Sequence, residues 1–260
     1  MPSESSPQRT GLARALSKLG YCSRSDARNL ISAGHVSLNG KTCFDPATPV
    51  HLQKNRIQVD GKDVTSARKI YLAMNKPRGI VTTASDEKGR RTVYDLLASN
   101  FVSDDLPWVA PVGRLDKASE GLLLLTNDSE WSAHVLAPET HLDKTYHVQI
   151  TTIPDDALLK RLENGIKMEG DFLRAKSVRL LRSGKRNSWL EVILDEGKNR
   201  HIRRILDHYG IEVLRLIRVA IGPLILGKLL KGAVRALANE EKIGLDRAME
   251  IFYPPTRHHS

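Results

Sequence analysis

The sequence predicts an α+β protein made of a small unit of two helices and short strands, followed by a larger domain. That domain is expected to hold a mixed, largely antiparallel sheet flanked by helices. Helical and strand patterns alternate along the chain without regular βαβ spacing, which argues against a parallel sheet. Near residue 68 short segments give way to longer apolar stretches. We therefore predict a disordered lead at 1–10, a first unit at 11–68, a larger domain at 69–250 and a tail at 251–260.

The first unit should begin with two helices. Leu12, Leu16 and Leu19 recur at helical spacing. Ser23 stands three residues before Asp26, a pattern typical of a capped helix start. A second helix is therefore expected to follow Ser23.

Two short strand-like segments come next, V-S-L-N-G-K and I-Q-V-D-G-K. They end in Asn39-Gly40 and Asp60-Gly61, dipeptides that accept the positive φ angles of tight hairpin turns. The rest of the first unit should therefore be a small sheet built of hairpins.

The larger domain shows strand and helix patterns in mixed order. Leu122 to Leu125 are four consecutive leucines, which predict a strand buried on both faces. Strands are predicted at 121–126, 146–151, 177–181, 189–194 and 213–221, and helices at 129–137, 155–164 and 200–209.

The charge of the chain favours a polyanionic partner. The formal net charge is +10, from 40 Lys and Arg against 30 Asp and Glu, on a chain that is 40% hydrophobic. Residues 1–69 carry 11 basic and five acidic residues, a net of +6. The basic residues of this part that would contact such a partner are Lys18, Arg24, Arg28 and Lys41. A merely solvated helix face is the alternative.

Several classes of protein are disfavoured by composition and motif. The two cysteines, Cys22 and Cys43, are too few for a disulfide framework and lack zinc-site spacing. The start of the chain has no apolar signal region and no later stretch is long and apolar enough to span a membrane, so we expect a cytoplasmic protein. The segment 222–228 has P-loop spacing but is followed by Leu229 in place of Ser or Thr, and neither G-x-G-x-x-G nor H-E-x-x-H occurs.

The segment P-V-G-R-L-D-K-A-S-E-G-L-L-L-L-T-N-D at 111–128 is the most informative stretch. A loop between Gly113 and Gly121 presents Arg114 and Asp116 beside the leucine strand. A carboxylate with restricted solvent access and a neighbouring cation can serve as a nucleophile or base. Spacing alone leaves open a surface Asp116 paired with Arg114.

Two further segments carry candidate residues. Tyr146 lies in the strand-like K-T-Y-H-V, where core packing is the ordinary interpretation of a tyrosine. The segment E-G-K-N-R-H-I-R-R places four cations on one short element, which spacing alone would interpret as a solvated basic helix end. These cations are Lys198, Arg200, Arg203 and Arg204.

These motifs resemble two known families. The pattern from Leu12 to Val64 resembles the ribosomal-protein-S-four-type (αL) RNA-binding module. The segments around Asp116 and Tyr146 and the basic segment at 196–204 resemble ribosomal RNA pseudouridine synthases of the RsuA group. The sequence departs from that pattern mildly, with Ala118-Ser119 at usually polar or Thr-containing positions, Ser129 after N-D, and His201 where Gln is common.

The resemblance implies a role for each candidate residue. Asp116 would be the nucleophile and Tyr146 would pack against the target base. A cation would pair with Asp116, for which Lys198 is the first choice and Arg203 the second. Leu216 would lie beneath the uracil. Arg114, Arg200 and Arg204 would contact RNA.

The implied function is the isomerisation of a specific uridine to pseudouridine in ribosomal RNA, with no cofactor and no metal. The expected partners are ribosomal RNA and ribosomal subunit assembly intermediates, and the expected state is a monomer. One alternative is a non-catalytic ribosome-assembly or RNA-chaperone factor that retains the fold. A remoter one is an RNA methyltransferase with a similar N-terminal module.

Overall fold

The computed structural model describes residues 9–84, 86, 88–101 and 106–250. Most of the predicted lead and the whole predicted tail lie outside these residues. The described chain divides into two compact units. The first holds residues up to 70 together with 101, 106–110 and 125–129, and the second holds the remainder.

The first unit has two helices and six short strands. They are β1 (Thr10–Gly11), α1 (Leu12–Lys18), α2 (Arg24–Ser32), β2 (Val36–Leu38), β3 (Lys41–Thr42), β4 (Pro49–Val50), β5 (Ile57–Val59) and β6 (Lys62–Asp63). A four-stranded sheet has the order β3-β2-β5-β6, and β1 pairs with β4. The helices and this sheet enclose one core that includes Leu12, Leu16, Ile31, Val36 and Val59.

Local sequence explains the starts and turns of these elements. The hydroxyl of Ser23 accepts a hydrogen bond of 3.0 Å from the backbone nitrogen of Asp26, so the predicted cap of α2 is confirmed. Asn39-Gly40 and Asp60-Gly61 all have positive φ, and each pair closes an antiparallel hairpin. Both predicted turns are therefore confirmed.

Two later segments belong to the first unit. The amide side chain of Asn127 accepts from the backbone nitrogen of Ile70 at 2.8 Å and donates to the carbonyl of Arg68 at 2.7 Å. The backbone nitrogen of Trp108 donates to the carbonyl of Gly20 at 3.0 Å. The first unit is therefore completed by residues distant in sequence.

The second unit has a large sheet with helices against it. Its strands are β7 (Tyr71–Lys76), β8 (Ala110–Val112), β9 (Glu120–Thr126), β10 (Lys144–Ile150), β11 (Ile166–Met168), β12 (Asp171–Leu173), β13 (Ser177–Ser183), β14 (Ser188–Leu194), β15 (Val213–Ile221), β16 (Leu224–Ile225) and β17 (Val234–Ala236). Its helices are α3 (Val93–Asn100), α4 (Ser129–Leu136), α5 (Asp156–Asn164), α6 (His201–His208), α7 (Asn239–Ala248) and a 3-10 turn at Pro138–Thr140.

The main sheet has the order β13-β14-β10-β15-β9-β7-β17, with β16 on β15 and β8 on β9. The pairs β10–β14, β10–β15, β13–β14 and β7–β17 are antiparallel, whereas β15 and β9 run parallel. The predicted α+β class with a mixed, largely antiparallel sheet is confirmed. All seven residues of β9 are buried, as the leucine run predicted.

The helices α3 and α7 had no counterpart in the sequence prediction. The start of α3 is capped locally, because the side chain of Asp95 accepts from the backbone nitrogen of Thr92 at 2.6 Å. The indole of Trp131 in α4 donates to Asp246 in α7 at 2.8 Å, inside a core that also contains Leu245. No helix in the described part of the chain is long and apolar enough to cross a membrane.

Candidate active site

The candidate nucleophile lies on a loop between β8 and β9 whose backbone is tightly bound. The buried ammonium of Lys76 donates to the carbonyl oxygens of Asp116 at 3.1 Å, Ser119 at 2.8 Å and Pro77 at 3.2 Å. The backbone nitrogen of Ser119 also donates to the carbonyl of Asp116 at 2.9 Å. Lys76, at the end of β7, therefore organises the turn that carries Asp116.

The other carbonyls of this loop are bound as well. The hydroxyl of Thr82 donates to the carbonyl of Leu115 at 2.8 Å, and the backbone nitrogen of Gly79 donates to that of Lys117 at 2.7 Å. The guanidinium of Arg203 donates to the carbonyl of Ala118 at 3.2 Å. Five consecutive carbonyls, 115–119, thus each accept a hydrogen bond, which fixes the position of the Asp116 side chain.

The cation under this loop has an unusual environment. The side chain of Lys76 has 0% exposure, and burial lowers the pKa of its ammonium to about 8. The negative charges of Asp116 and Glu120 act in the opposite direction and favour the protonated form. Glu120 is buried too, and it is ion-paired with Arg215 at 2.9 Å and Lys231 at 2.8 Å.

Asp116 opens onto a pocket of about 360 Å³ in the second unit. Its walls come from the Asp116 loop, from β10 and β15, and from the segment that leads into α6. The lining residues are Gly113, Arg114, Leu115, Asp116, Ser119, Leu136, Lys144, Tyr146, Leu194, Gly197, Lys198, Asn199, Arg200, His201, Ile202, Leu216 and Arg218.

Six of the predicted site residues line this pocket. They are Asp116, Tyr146, Leu216, Arg114, Lys198 and Arg200. The described residues include no ion pair between Arg114 and Asp116, so the alternative of a surface aspartate paired with that arginine does not describe the loop.

Tyr146 and Leu216 lie on adjacent antiparallel strands. Tyr146 in β10 is paired with Arg218 in β15, and Leu216 is paired with Val148. Leu216 is buried, whereas Tyr146 is partly exposed to the pocket. An aromatic ring and an apolar side chain thus face the same cavity as Asp116.

The sequence favoured Lys198 over Arg203 as the partner of Asp116. The contacts of the two side chains favour the opposite order. The ammonium of Lys198 donates to the carbonyl of Phe172 at 2.7 Å and to the carboxylate of Glu196 at 2.9 Å. Lys198 therefore lines the pocket but is engaged by other groups, and among the described residues neither Lys198 nor Arg203 forms an ion pair with Asp116.

Arg203 is the better placed of the two cations. Burial lowers the pKa of its guanidinium, with Arg200 contributing in the same direction, while the charge of Asp116 opposes that shift. Its donation to the carbonyl of Ala118 also ties it directly to the catalytic loop.

Arg204, a predicted RNA contact, is engaged by acidic side chains outside the pocket. It is absent from the pocket lining, and its guanidinium donates to Asp171 at 2.8 Å and to Glu169 at 3.2 Å. Its charge is matched inside the β11–β12 hairpin. The helix α6 begins after Arg200, which has a φ of 49° and whose side chain makes no capping hydrogen bond.

The basic residues predicted in the first unit lie on its surface. Arg24 and Arg28 are exposed on α2, one helical turn apart. Lys41 is exposed in β3, and Lys18 is partly buried at the end of α1. These positions are consistent with the basic face predicted for the first unit.

Sequence reasoning missed three buried cations, Lys76, Lys144 and Arg218. Lys76 ends β7, Lys144 begins β10 and Arg218 lies within β15, so a cation within or at the end of a largely apolar strand was the available signal. Among the residues described, no group of three or more His, Cys, Asp or Glu side chains could hold a metal ion.

Comparison with known proteins agrees with this geometry. The family model for RNA pseudouridylate synthase matches residues 70–208, and that for the S4 domain matches residues 10–55. An uncharacterized RNA pseudouridine synthase of Rickettsia prowazekii is 40% identical over 230 residues, covering 88% of this chain and 94% of the relative. Ribosomal large subunit pseudouridine synthase B of Bacillus subtilis is 36% identical over 232 residues, covering 88% of this chain and 93% of the relative.

A solved structure shows the same overall fold. The crystal structure of a pseudouridylate synthase superposes with a TM-score of 0.62 at 26% identity, covering 91% of this chain and 99% of that chain. With an S4 domain at the N-terminus and a matched synthase domain after it, the chain belongs to the RNA pseudouridylate synthase family, whose members are isomerases acting on uridine in RNA.

Proposed function

We propose that the protein converts a specific uridine of ribosomal RNA to pseudouridine, with Asp116 as the nucleophile. The observation that carries this proposal is the loop at 115–119, where every carbonyl is bound and the carboxylate of Asp116 is left facing the pocket. A backbone held so completely is suited to a group that must meet a reacting atom in one geometry.

The other pocket residues have complementary roles in this proposal. Tyr146 and Leu216 present an aromatic and an apolar surface to the uracil, replacing the stacking that the base loses when it leaves the RNA. Arg203, which binds the carbonyl of Ala118 behind the pocket lining, is the cation proposed to pair with Asp116. Arg114 and Arg200 are exposed beside the pocket and suit contacts with the RNA backbone.

The reaction conserves the composition of the substrate. The bond between N1 of uracil and C1′ of ribose breaks, the base turns, and a bond forms between C5 and C1′. The proton on C5 is lost and N1 gains one. The proposed role of Asp116 is to form a covalent bond with the nucleoside, which holds it between these two steps. That bond breaks again before pseudouridine leaves, and the carboxylate is regenerated.

The RNA-binding face is assigned to the first unit. Its Arg24, Arg28 and Lys41 would contact phosphates and thereby position the substrate. The name of the Bacillus subtilis relative supports ribosomal RNA as the target. The proposal further places the protein in the cytoplasm as a monomer that acts during ribosome assembly.

The test is a map of pseudouridines in ribosomal RNA from a strain that lacks the gene. We expect one or more sites to be lost and to return with the wild-type gene but not with Asp116→Asn. The matched control is Asp207→Asn, an exposed aspartate of α6 outside the pocket. Purified Asp116→Asn should bind the RNA within about tenfold of wild type, because its task is chemical.

Two results would overturn the proposal. An unchanged pseudouridine map in the deletion strain would refute the ribosomal target. Turnover by Asp116→Asn above about one per cent of wild type would refute the nucleophile, given the usual cost of removing one. Full rescue of ribosome assembly by that variant would instead favour the non-catalytic assembly factor.

A further inference from the structure

Three polar side chains of the pocket have no role in the mechanism described so far. Ser119 is the last residue of the loop at 115–119. Lys144 begins β10, and Arg218 lies in β15 opposite Tyr146. All three line the pocket, although their exposure is only 1%, 9% and 6% respectively. They are thus built into its floor.

These side chains offer donors without acceptors. Nε of Arg218 donates to the carbonyl of Leu122 at 2.7 Å, but its Nη2 is buried and has no hydrogen-bond partner among the described residues. The same is true of Oγ of Ser119. The ammonium of Lys144 makes neither a hydrogen bond nor an ion pair within the described chain. Buried donors such as Nη2 of Arg218 and Oγ of Ser119 are ordinarily satisfied.

The carboxylates nearest to Lys144 are already engaged. Asp143 and Asp195 are the acidic groups that favour its charged form. Asp143 is bound by Lys176 at 2.8 Å, and Asp195 lies 3.8 Å from Arg174. Neither of them forms an ion pair with Lys144 itself.

The floor therefore concentrates positive charge. Burial lowers the pKa of Lys144, and the nearby charge of Arg218 lowers it further. Among the lining residues a single carboxylate, Asp116, faces five cations, which are Arg114, Lys144, Lys198, Arg200 and Arg218. Two adjacent buried cations are costly unless an anion joins them.

We propose that Ser119, Lys144 and Arg218 form a subsite that binds an anionic oxygen of the nucleotide held in the pocket. A neutral uracil has no need of two buried cations. The subsite rests on the proposed function, because the nucleotide in question is the one that reacts with Asp116.

Two oxygens of the substrate have this chemistry. One is a phosphodiester oxygen next to the target uridine. The other is O2 or O4 of the uracil after the N1–C1′ bond breaks, when the bonding electron pair leaves with the base. That negative charge persists until the pair forms the C5–C1′ bond, after which the C5 proton is replaced by one on N1. Cations placed at developing charge are a common means of catalysis.

The test compares Lys144→Met with Lys144→Arg, which keeps the charge, and with Lys160→Met. The last removes an equal charge from an exposed lysine outside the pocket. Affinity for ribosomal RNA from the deletion strain is measured at several salt concentrations in the Asp116→Asn background. Single-turnover rates are measured at saturating RNA without that substitution.

The two sources of the oxygen give different results. If the ligand is a phosphodiester, Lys144→Met should weaken binding at least about tenfold and reduce the slope of log affinity against log salt by about 0.7 to 0.9, with little change in rate. If the ligand is the departing uracil, binding should hold and the rate should fall at least about tenfold. In both cases Lys144→Arg should recover most of the loss and Lys160→Met should change either quantity less than about twofold.

A folded Lys144→Met protein with wild-type affinity and rate would overturn the subsite, as would an equal loss in Lys160→Met. Should Lys144→Met fail to fold, Ser119→Ala replaces it, because it removes one small hydroxyl and must weaken the same quantity. If the wild-type protein forms no pseudouridine in this RNA, the proposed target is refuted. The affinity comparison in the Asp116→Asn background still tests the subsite separately.

Discussion

Replacing Lys76 by methionine should change how the stability of the second unit depends on pH. The side chain has 0% exposure, and burial lowers the pKa of its ammonium from 10.5 to about 8 in the folded protein. In the unfolded chain the same group titrates at its ordinary value. The folded protein therefore releases this proton at a lower pH than the unfolded chain does.

The sign and size of the effect follow from this difference. Between pH 8 and 10.5 the unfolded chain binds more protons, so the free energy of unfolding rises with pH across that window. A gap of roughly 2.5 pH units corresponds to about 3 kcal/mol, of which about 2 to 3 kcal/mol falls between pH 7 and pH 10. Methionine keeps a long apolar side chain and removes the titration.

The assay is urea unfolding at pH 7 and pH 10, followed by tryptophan fluorescence, to which Trp131 and Trp189 of the second unit contribute. Wild type should gain stability relative to Lys76→Met as the pH rises. Lys62→Met, an exposed lysine of the first unit, is the control and should show no such change. The prediction fails if the difference in unfolding free energy between wild type and Lys76→Met stays constant within about 0.5 kcal/mol between the two pH values.

Three further outcomes are expected. Gly121→Ala should cost more than about 4 kcal/mol of stability, because φ is +104° and a Cβ would overlap the backbone of β15; a wild-type melting temperature would contradict this. Arg203→Met should lower the single-turnover rate about a hundredfold, and Lys198→Met less than about tenfold; the reverse order would restore Lys198 as the partner of Asp116. The double change Arg24→Gln with Arg28→Gln should reduce the salt dependence of log affinity by about 1.5.

The control for the two α2 arginines is Arg56→Gln. Arg56 belongs to the same unit but is already ion-paired with Asp63 at 2.7 Å, so its loss should leave the salt slope nearly unchanged. An unaltered slope in the double variant, or an equal change in the control, would show that α2 is not the RNA-binding face.

The sequence by itself determined the features that depend on neighbouring residues. The hydroxyl of Ser23 and the positive φ of Asn39-Gly40 act within a few residues, so the start of α2 and the first hairpin could be predicted. The leucine run of β9 indicated burial on both faces without any knowledge of what covers them. The motifs around Asp116 and Tyr146 are also short continuous patterns. They therefore identified candidate residues that line one pocket.

Only the tertiary structure decided which distant side chains meet. The sequence favoured Lys198 over Arg203, but the direction of each side chain depends on contacts with Phe172 and Ala118 from other elements. No local pattern indicated that the ammonium of Lys76 binds the carbonyls of the Asp116 loop. Local propensity describes a residue's own segment, whereas hydrogen bonds and charges in a pocket join segments that only folding brings together.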